Sequence, residues 1–281
     1  MAPKVKFESF RAVRYSEEVD LERVICPPYD VISPAMKQSL ELLHPENFVR
    51  ITLPSSDDGE PSSKYEKAAD YLRAWLSAGV LIEEPSESIF LYRNDFVLNK
   101  KPGATAGIIG ALQLEPFGSS IHPHETTLPE PKADRLALMR TTSANLEPLW
   151  FVAAKPLESM ASAIRTYEGK DPLADVEDSQ SVRHRIWRLA SEDAASVRAW
   201  IEGNDLVVAD GHHRYETALA YARERRDADG PGEWDKTLAL VAGSGDFAPT
   251  LRAIHRVVRG LDVSRLVEGS AATEFDEPPQ T

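Results

Sequence analysis

The sequence predicts a mixed α/β (α+β) protein built around one mixed sheet. Three observations lead to this prediction: short β-branched runs alternate with segments of helical periodicity, turn residues separate them, and 281 residues suffice for a large core. We divide the chain into an N-terminal α/β lobe over residues 1–104 and a core over residues 105–262, with an insertion at 155–204. The acidic tail over residues 263–281 is rich in small residues, so we expect it to be disordered.

The composition is that of an ordinary globular protein and limits its partners. A formal net charge of −13 disfavours duplex nucleic acid and anionic membranes as main partners, because both require a basic surface. No apolar run approaches the roughly 20 residues of a membrane-spanning helix. Cys26 is the only cysteine, so no intrachain disulfide can form. We therefore expect a cytoplasmic protein.

The N-terminal lobe is predicted to contain three strands and two helices. Val5–Tyr15 alternates loosely as a strand, and Ser33 is a predicted N-cap, with proline at the first helical position, for a helix that ends near His44. Phe48–Leu53 alternates as a strand. Ser63–Ala78 has apolar residues at helical spacing, and Ser88–Leu98 reads as a strand that opens a hairpin.

A rigid loop in this lobe presents two candidate binding residues. Pro27 and Pro28 fix the backbone twice, so Tyr29 and Asp30 are held in a defined direction. One interpretation is that these two residues face a substrate. The other is structural: the proline pair turns a corner and Tyr29 packs in the core.

The core region continues with alternating strands and helices. Lys132–Asn145 is predicted to be helical, with Lys132, Asp134 and Arg135 in its first turn. Ser191 is the predicted cap of a later helix. The further predicted elements are the strands Thr105–Leu114, Pro148–Val152 and Val182–Leu189 and the helices Leu157–Tyr167 and Ser191–Glu202.

The main candidate site is a strand, a tight turn and a helix. Leu206–Ala209 is a short apolar strand, Asp210-Gly211-His212-His213-Arg214 forms the turn, and Tyr215–Arg226 has helical periodicity. Asp210 is a predicted helix cap, and Gly211 leaves the first amides of the helix accessible. Such a helix end attracts anions, phosphate above all, and the guanidinium of Arg214 can bind a phosphate oxygen.

A second cluster lies in the proline-rich loop Phe117–Pro131, which contains His124 and Glu125. Glu125 beside a phosphate-binding helix end can accept the proton of an attacking hydroxyl. The alternative is an ordinary exposed carboxylate. A closed zinc site joining both clusters is disfavoured, because His212 and His213 diverge by about 100° on a helix. A magnesium ion held by Glu125 and Asp210 fits carboxylate chemistry better.

Several motifs in order resemble the bacterial family called domain of unknown function 1015. They are Pro27-Pro28-Tyr29-Asp30-Val31-Ile32, His124-Glu125-Thr126-Thr127 with Lys132, Asp134-Arg135-Leu136, and Ala209-Asp210-Gly211-His212-His213-Arg214-Tyr215-Glu216-Thr217-Ala218. The family looks related to free-serine kinases and, more remotely, to the nucleotide-binding ParB and sulfiredoxin fold. That resemblance implies a ParB/sulfiredoxin-like core, with Glu125 as the catalytic carboxylate and Gly211–Arg214 holding donor phosphates.

The sequence therefore predicts a phosphotransferase that uses ATP or ADP and magnesium to phosphorylate a small hydroxyl-bearing metabolite. The alternatives are a nucleotide-binding regulator without turnover and a metal-dependent hydrolase. A second copy of the chain or a partner protein could also contribute to the site. The expected catalytic residues are Glu125, His213 and Arg214; those for the nucleotide are Asp210, Gly211, His212, His213, Arg214, Lys132 and Arg135; those for the substrate are Tyr29, Asp30 and His124.

Overall fold

The computed structural model confirms the mixed α/β class. It describes residues 4–56, 63–125, 127, 129–156, 160–245 and 247–249. These residues form one compact unit. The end of the predicted core and the tail over residues 263–281 thus lie outside the described residues. Within the described part, none of the helices combines the length and apolarity that crossing a membrane requires.

The described residues form eleven strands and eight α-helices. The strands are β1 Phe7–Glu8, β2 Val13–Tyr15, β3 Leu81–Glu83, β4 Phe90–Leu98, β5 Lys101–Gln113, β6 Ile121–His122, β7 Leu149–Ala153, β8 Ala174–Glu177, β9 Arg183–Arg188, β10 Leu206–Asp210 and β11 Lys236–Ala242. The helices are α1 Leu21–Val24, α2 Pro34–Leu43, α3 Val49–Thr52, α4 Ser63–Ser77, α5 Pro129–Thr142, α6 Met160–Glu168, α7 Ser191–Glu202 and α8 His212–Asp229. Single 3-10 turns lie at Tyr29–Val31 and Glu233–Asp235.

Nine of the strands form one mixed sheet. Its order is β6-β10-β7-β11-β5-β4-β9-β8, and β1 also pairs with β5. Most neighbours are antiparallel, but β6 with β10 and β7 with β11 are parallel. The central strands are buried and apolar, as burial on both faces requires. Phe151, Val208 and Val241 are fully buried in this core, where Tyr215 of α8 also packs.

The N-terminal lobe has a small core of its own. β2 and β3 form a separate two-stranded sheet, and Ile51, Trp75 and Leu81 form the buried cluster beside it. Leu146 of the main body also packs against this cluster. The domain boundary predicted at residue 104 falls inside the pairing of β4 with β5, and residues of the predicted insertion supply β8 and β9 to the main sheet.

The strand predicted at Phe48–Leu53 is wrong, because this segment is the helical turn α3. The fully buried Asn47 accepts a hydrogen bond at Oδ1 from the Val49 amide, and the Thr52 amide donates to Phe48 O. Alternating β-branched residues favour a strand. Here the buried asparagine and local backbone hydrogen bonds determine the conformation instead.

Two predicted helix starts also differ from the structure. α5 begins at Pro129, one turn earlier than predicted, so Asp134 and Arg135 lie beyond its first turn. Proline suits this first helical position, because its missing N–H has no helical partner there. Ser191 is the first helical residue of α7 rather than its cap, and the N-cap Ala190 forms no side-chain hydrogen bond.

Candidate functional site

The strand, turn and helix predicted around residue 211 are confirmed. β10 ends at Asp210, and Gly211 is the N-cap of α8 with φ 96° and ψ 30°, a left-handed conformation that favours glycine. A Cβ at Gly211 would lie 2.7 Å from Leu149 Cδ2 and 3.2 Å from Arg214 Nη2. The turn therefore requires glycine for its backbone and for its packing.

Asp210 does not cap α8 as predicted. Its Oδ2 accepts a hydrogen bond from Arg214 Nη2 at 2.6 Å, one turn along the chain. Gly211 has no side chain, so α8 begins without a side-chain cap. The first amides of α8 thus receive no hydrogen-bond acceptor from the side chain at the N-cap position.

The loop that contains His124 and Glu125 is hydrogen-bonded to this strand and turn. Parallel pairing of β6 with β10 brings the carboxyl ends of both strands to the same region of the sheet. His124 Nδ1 lies 2.7 Å from the carbonyl oxygen of Val208, so this nitrogen carries the proton and donates. The His124 amide donates to His212 Nε2 at 3.2 Å. The structure thus joins the two predicted clusters.

His212 is a buried neutral imidazole that faces Glu125. Its side chain is 3% exposed, and burial, reinforced by the adjacent His124, lowers its pKa. Because Nε2 accepts the His124 amide, the proton of the neutral ring is on Nδ1. This nitrogen lies 3.9 Å from Glu125 Oε2, and the Glu125 side chain is 60% exposed. Glu125 thus lies next to His212 and remains accessible to a ligand.

Three of these side chains could together hold a metal ion. One ligand atom each from His124, Glu125 and His212 lies within 4.8 Å of the others. His124 has the usual orientation of a metal-binding histidine, because its Nδ1 donates to a carbonyl. Binding through His212 would, however, displace the His124 amide or require the proton to move to Nε2. Asp210, the other predicted magnesium ligand, lies outside this group.

The predicted phosphate-binding cations are engaged in ion pairs. Lys132 Nζ lies 2.6 Å from Glu216 Oε2, which also accepts from Thr127 Oγ1 at 2.7 Å. Burial raises the pKa of Glu216, but the hydrogen bonds from Lys132 and Thr127 outweigh it and lower the pKa overall. The half-buried His213 is close enough to Glu216 to contribute to this lowering. Lys132 thus ties α5 to α8.

Arg214 is also held within the fold. Besides Asp210, its guanidinium donates from Nη1 to the Pro148 carbonyl at 2.9 Å and lies 3.3 Å from Glu147 Oε2. Only 13% of its side chain is exposed. These contacts give Arg214 a role in positioning the turn, which the sequence prediction of a phosphate ligand did not include.

A cleft beside Arg214 extends to the N-terminal lobe, and we call it the lobe cleft. It contains about 450 Å³ of space, part of it open to solvent. Its lining residues come from α3, α5, α8, β7, β11 and the loop before β7. They are Thr52, Arg135, Leu138, Met139, Ala144, Asn145, Leu146, Glu147, Leu149, Arg214, Thr217 and Thr237.

Arg135 connects this cleft to the rigid proline loop. The Arg135 guanidinium lies 4.1 Å from the centroid of the Tyr29 ring and donates to the Thr52 carbonyl at 2.7 Å. Burial raises the pKa of Tyr29, while Arg135 opposes that shift. Tyr29 therefore contacts a cleft residue, whereas Asp30 is exposed in its 3-10 turn.

Asp134 fixes Arg135 in place. Its Oδ2 accepts from Arg135 Nη2 at 2.6 Å, and its Oδ1 accepts from Lys64 Nζ at 2.6 Å and from the Tyr65 hydroxyl. Burial raises the pKa of Asp134, but the hydrogen bonds from Lys64 and Arg135 outweigh it and lower the pKa to about 2. Arg135 is thus a buried, charge-compensated cation at the edge of the cleft.

The sequence prediction missed Glu147, Thr52 and Glu216. Glu147 is 15% exposed and accepts a hydrogen bond from the Thr52 hydroxyl. Glu147 is followed by Pro148 and a predicted strand, an unremarkable pattern that carries no functional signal. Glu216 is a partly buried residue of α8, and no local signal indicates its partner Lys132, which is 84 residues away in the chain.

The fold and these side chains define a mixed α/β protein with a polar site at a strand-to-helix turn, next to a cleft against its N-terminal lobe. The chain belongs to the family described as Protein of unknown function (DUF1015), whose model matches residues 7–276. No curated protein and no solved structure matches the chain significantly.

Proposed function

We propose that this protein is a nucleotide-dependent phosphotransferase that acts on a hydroxyl group of a small metabolite. The observation that carries the proposal is the N-terminus of α8, an 18-residue helix without a side-chain cap, beside the exposed carboxylate of Glu125. The resemblance to free-serine kinases and to ParB and sulfiredoxin folds is part of this proposal, as are a cytoplasmic location and a second copy or partner that completes the site.

The donor phosphates would bind at the beginning of α8. Its first amides and the positive end of the helix dipole suit an anion, and Gly211 allows close approach to the backbone. Lys132, Arg135 and Arg214 are each paired with a carboxylate. We therefore revise their role from direct phosphate ligands to groups that shape the turn and set its local charge.

Glu125 is the group that would accept the proton of the acceptor hydroxyl. In the reaction, the acceptor O–H bond breaks as its proton moves to Glu125, the acceptor oxygen bonds to phosphorus, and the bond to the leaving nucleotide oxygen breaks. His212 Nδ1 lies 3.9 Å from the carboxylate, and the His124 ring lies beside it. Because His124 Nδ1 contacts the Val208 carbonyl, Nε2 is the ring atom that would contact the metabolite.

A magnesium ion would require oxygen ligands near the phosphates. Glu125 fits this need with an exposed carboxylate, and Asp210, 54% exposed, fits it through the oxygen that does not accept from Arg214. When bound, such an ion neutralises charge on the transferring group. Orientation of the carboxylates is the contribution of this chain: His212 faces Glu125, and Arg214 holds Asp210.

The test is a phosphorus NMR assay with ATP or ADP, magnesium and pooled hydroxyl metabolites. We expect Glu125→Gln to retain nucleotide binding by calorimetry and to lose turnover by a factor on the order of 10² to 10⁴, the usual contribution of a general base. Glu87→Gln, which changes an exposed glutamate bonded to Ser9, is the matched control and should keep full activity.

Two results would contradict the proposal in different ways. Tight nucleotide binding without consumption, for every hydroxyl compound offered, would identify a nucleotide-binding regulator. Full activity of Glu125→Gln would show that the base is assigned wrongly.

A metal-dependent hydrolase is the second candidate, because His124, Glu125 and His212 lie close enough to share one ion. Two imidazoles and a carboxylate match the ligand type of catalytic zinc sites. Stoichiometric zinc by elemental analysis, lost in His124→Ala, together with hydrolysis of nucleotide without any acceptor, would favour this alternative.

A further inference from the structure

We propose that the lobe cleft binds an uncharged, hydroxyl-rich small molecule such as a polyol or a sugar. This inference is independent of the proposed function, because neither Glu125 nor His124 lines the cleft. The location supports a binding site, because pockets for small molecules occur preferentially between domains. The lobe cleft is partly open to solvent and is lined by residues of both the lobe and the main body.

One polar atom in the cleft requires a hydrogen-bond donor. Glu147 Oε2 is buried and accepts no hydrogen bond from the described residues. Arg214 Nη1 lies 3.3 Å away, an ion-pair distance at which the hydrogen-bond geometry is not met. Buried carboxylate oxygens in proteins are nearly always hydrogen-bonded, so this atom indicates the position of a donor group on a ligand.

The charges around the cleft indicate that this donor is neutral. Arg214 is paired with Glu147 and with Asp210. Asp134 is paired with Arg135 and with Lys64. The three cationic and three anionic side chains of this network compensate one another, so a charged ligand would leave one buried charge without a counterion. A hydroxyl group donates to Glu147 without changing that balance.

The remaining lining also suits a carbon ring or chain that carries hydroxyls. Leu138, Leu146 and Leu149 offer apolar surface for C–H groups, and Thr52 and Thr217 add neutral polar groups. Asn145 accepts a hydrogen bond from Thr237 through Oδ1, and its amide nitrogen remains a donor for a ligand oxygen. Alternating polar and apolar contacts of this kind match the surface of a polyol.

Arg214 connects the cleft to the phosphate turn. Its guanidinium lies against Glu147 on one side and holds Asp210, at the end of β10, on the other. A molecule bound to Glu147 would therefore contact the same guanidinium that holds Asp210 at the turn.

Saturation-transfer NMR tests the inference with glycerol, ribose, glucose and myo-inositol as uncharged probes and with gluconate and glucosamine as charged ones. We expect at least one uncharged probe to bind and the charged ones to bind at least tenfold more weakly. Ala144→Leu adds bulk at the partly exposed rim of the cleft and should abolish binding. Ala133→Leu makes the same change at an exposed position of α5 that does not line the cleft. This control variant should bind the probes as the parent protein does.

Glu147→Gln is the second variant, and we expect about tenfold weaker binding, because a hydrogen bond to a carboxylate is stronger than one to an amide. The inference is overturned if no uncharged probe binds, if the charged probes bind equally well, or if Ala144→Leu binds like the parent protein. Binding in the cleft without any phosphoryl transfer would support this inference and contradict the proposed function.

Discussion

Replacing Gly211 by alanine tests the geometry of the whole turn. The backbone at Gly211 has φ 96°, and a side chain in this region costs about 1 to 2 kcal/mol. The added Cβ would also lie 2.7 Å from Cδ2 of Leu149, a residue that is 2% exposed and cannot move freely. Overpacking of this kind costs about 1 to 3 kcal/mol. We therefore expect Gly211→Ala to lower the free energy of unfolding by about 2 to 5 kcal/mol.

Gly118→Ala provides the control, because it separates the two contributions. Gly118 has φ 101°, close to that of Gly211, but a Cβ there would meet no atom within 4 Å. Its substitution therefore measures the conformational cost alone, about 1 to 2 kcal/mol. Urea unfolding of the parent protein and both variants gives the difference directly. If Gly211→Ala costs no more than Gly118→Ala, the close packing of the turn against Leu149 and Arg214 is wrong.

Two further predictions concern the residues that flank this turn. Arg214→Ala should cost about 3 kcal/mol of stability in urea unfolding, because it leaves Glu147 buried without a counterion. Arg140→Ala, which breaks the exposed pair with Glu224, should cost less than about 1 kcal/mol, and equal costs would contradict the assigned role of Arg214. Burial lowers the pKa of His212, so the unfolded chain binds a proton at this residue more readily than the folded one. The stability that the neutral His212 provides is thus present above its unfolded pKa of about 6.5 and is lost as the pH falls below it. Unfolding measured at several pH values should show a smaller loss on acidification in His212→Gln than in the parent protein, and identical pH profiles would refute the argument.

Local patterns predicted the elements whose chemistry is also local. The apolar run before Asp210 specifies a strand, and the glycine after Asp210 specifies a turn. The helical periodicity after Tyr215 specifies a helix. The cap at Ser33 is confirmed for the same reason, since its Oγ accepts the Met36 amide three residues ahead. In these cases, the partner that stabilises the conformation lies within a few residues in the chain.

Long-range partners explain what the sequence did not reveal. Glu147 lies in the site only because Thr52 and Arg214, distant in sequence, pack around it. Tyr29 was a candidate for ligand contact, but its actual partner, Arg135, is more than a hundred residues away. The short strand β8 was missed because its stability comes from pairing with β9 rather than from its own composition.

The cations show what residue type alone does not reveal about the predicted donor contacts. A sequence presents Lys132, Arg135 and Arg214 as free positive charges near a predicted phosphate. The fold supplies each with a carboxylate partner, which reduces the net charge that it offers to a phosphate. The amides at the beginning of α8 have no such competitor from a capping side chain. In a protein with net charge −13, the helix dipole would still attract an anionic donor to this end of α8, because it does not depend on those side chains.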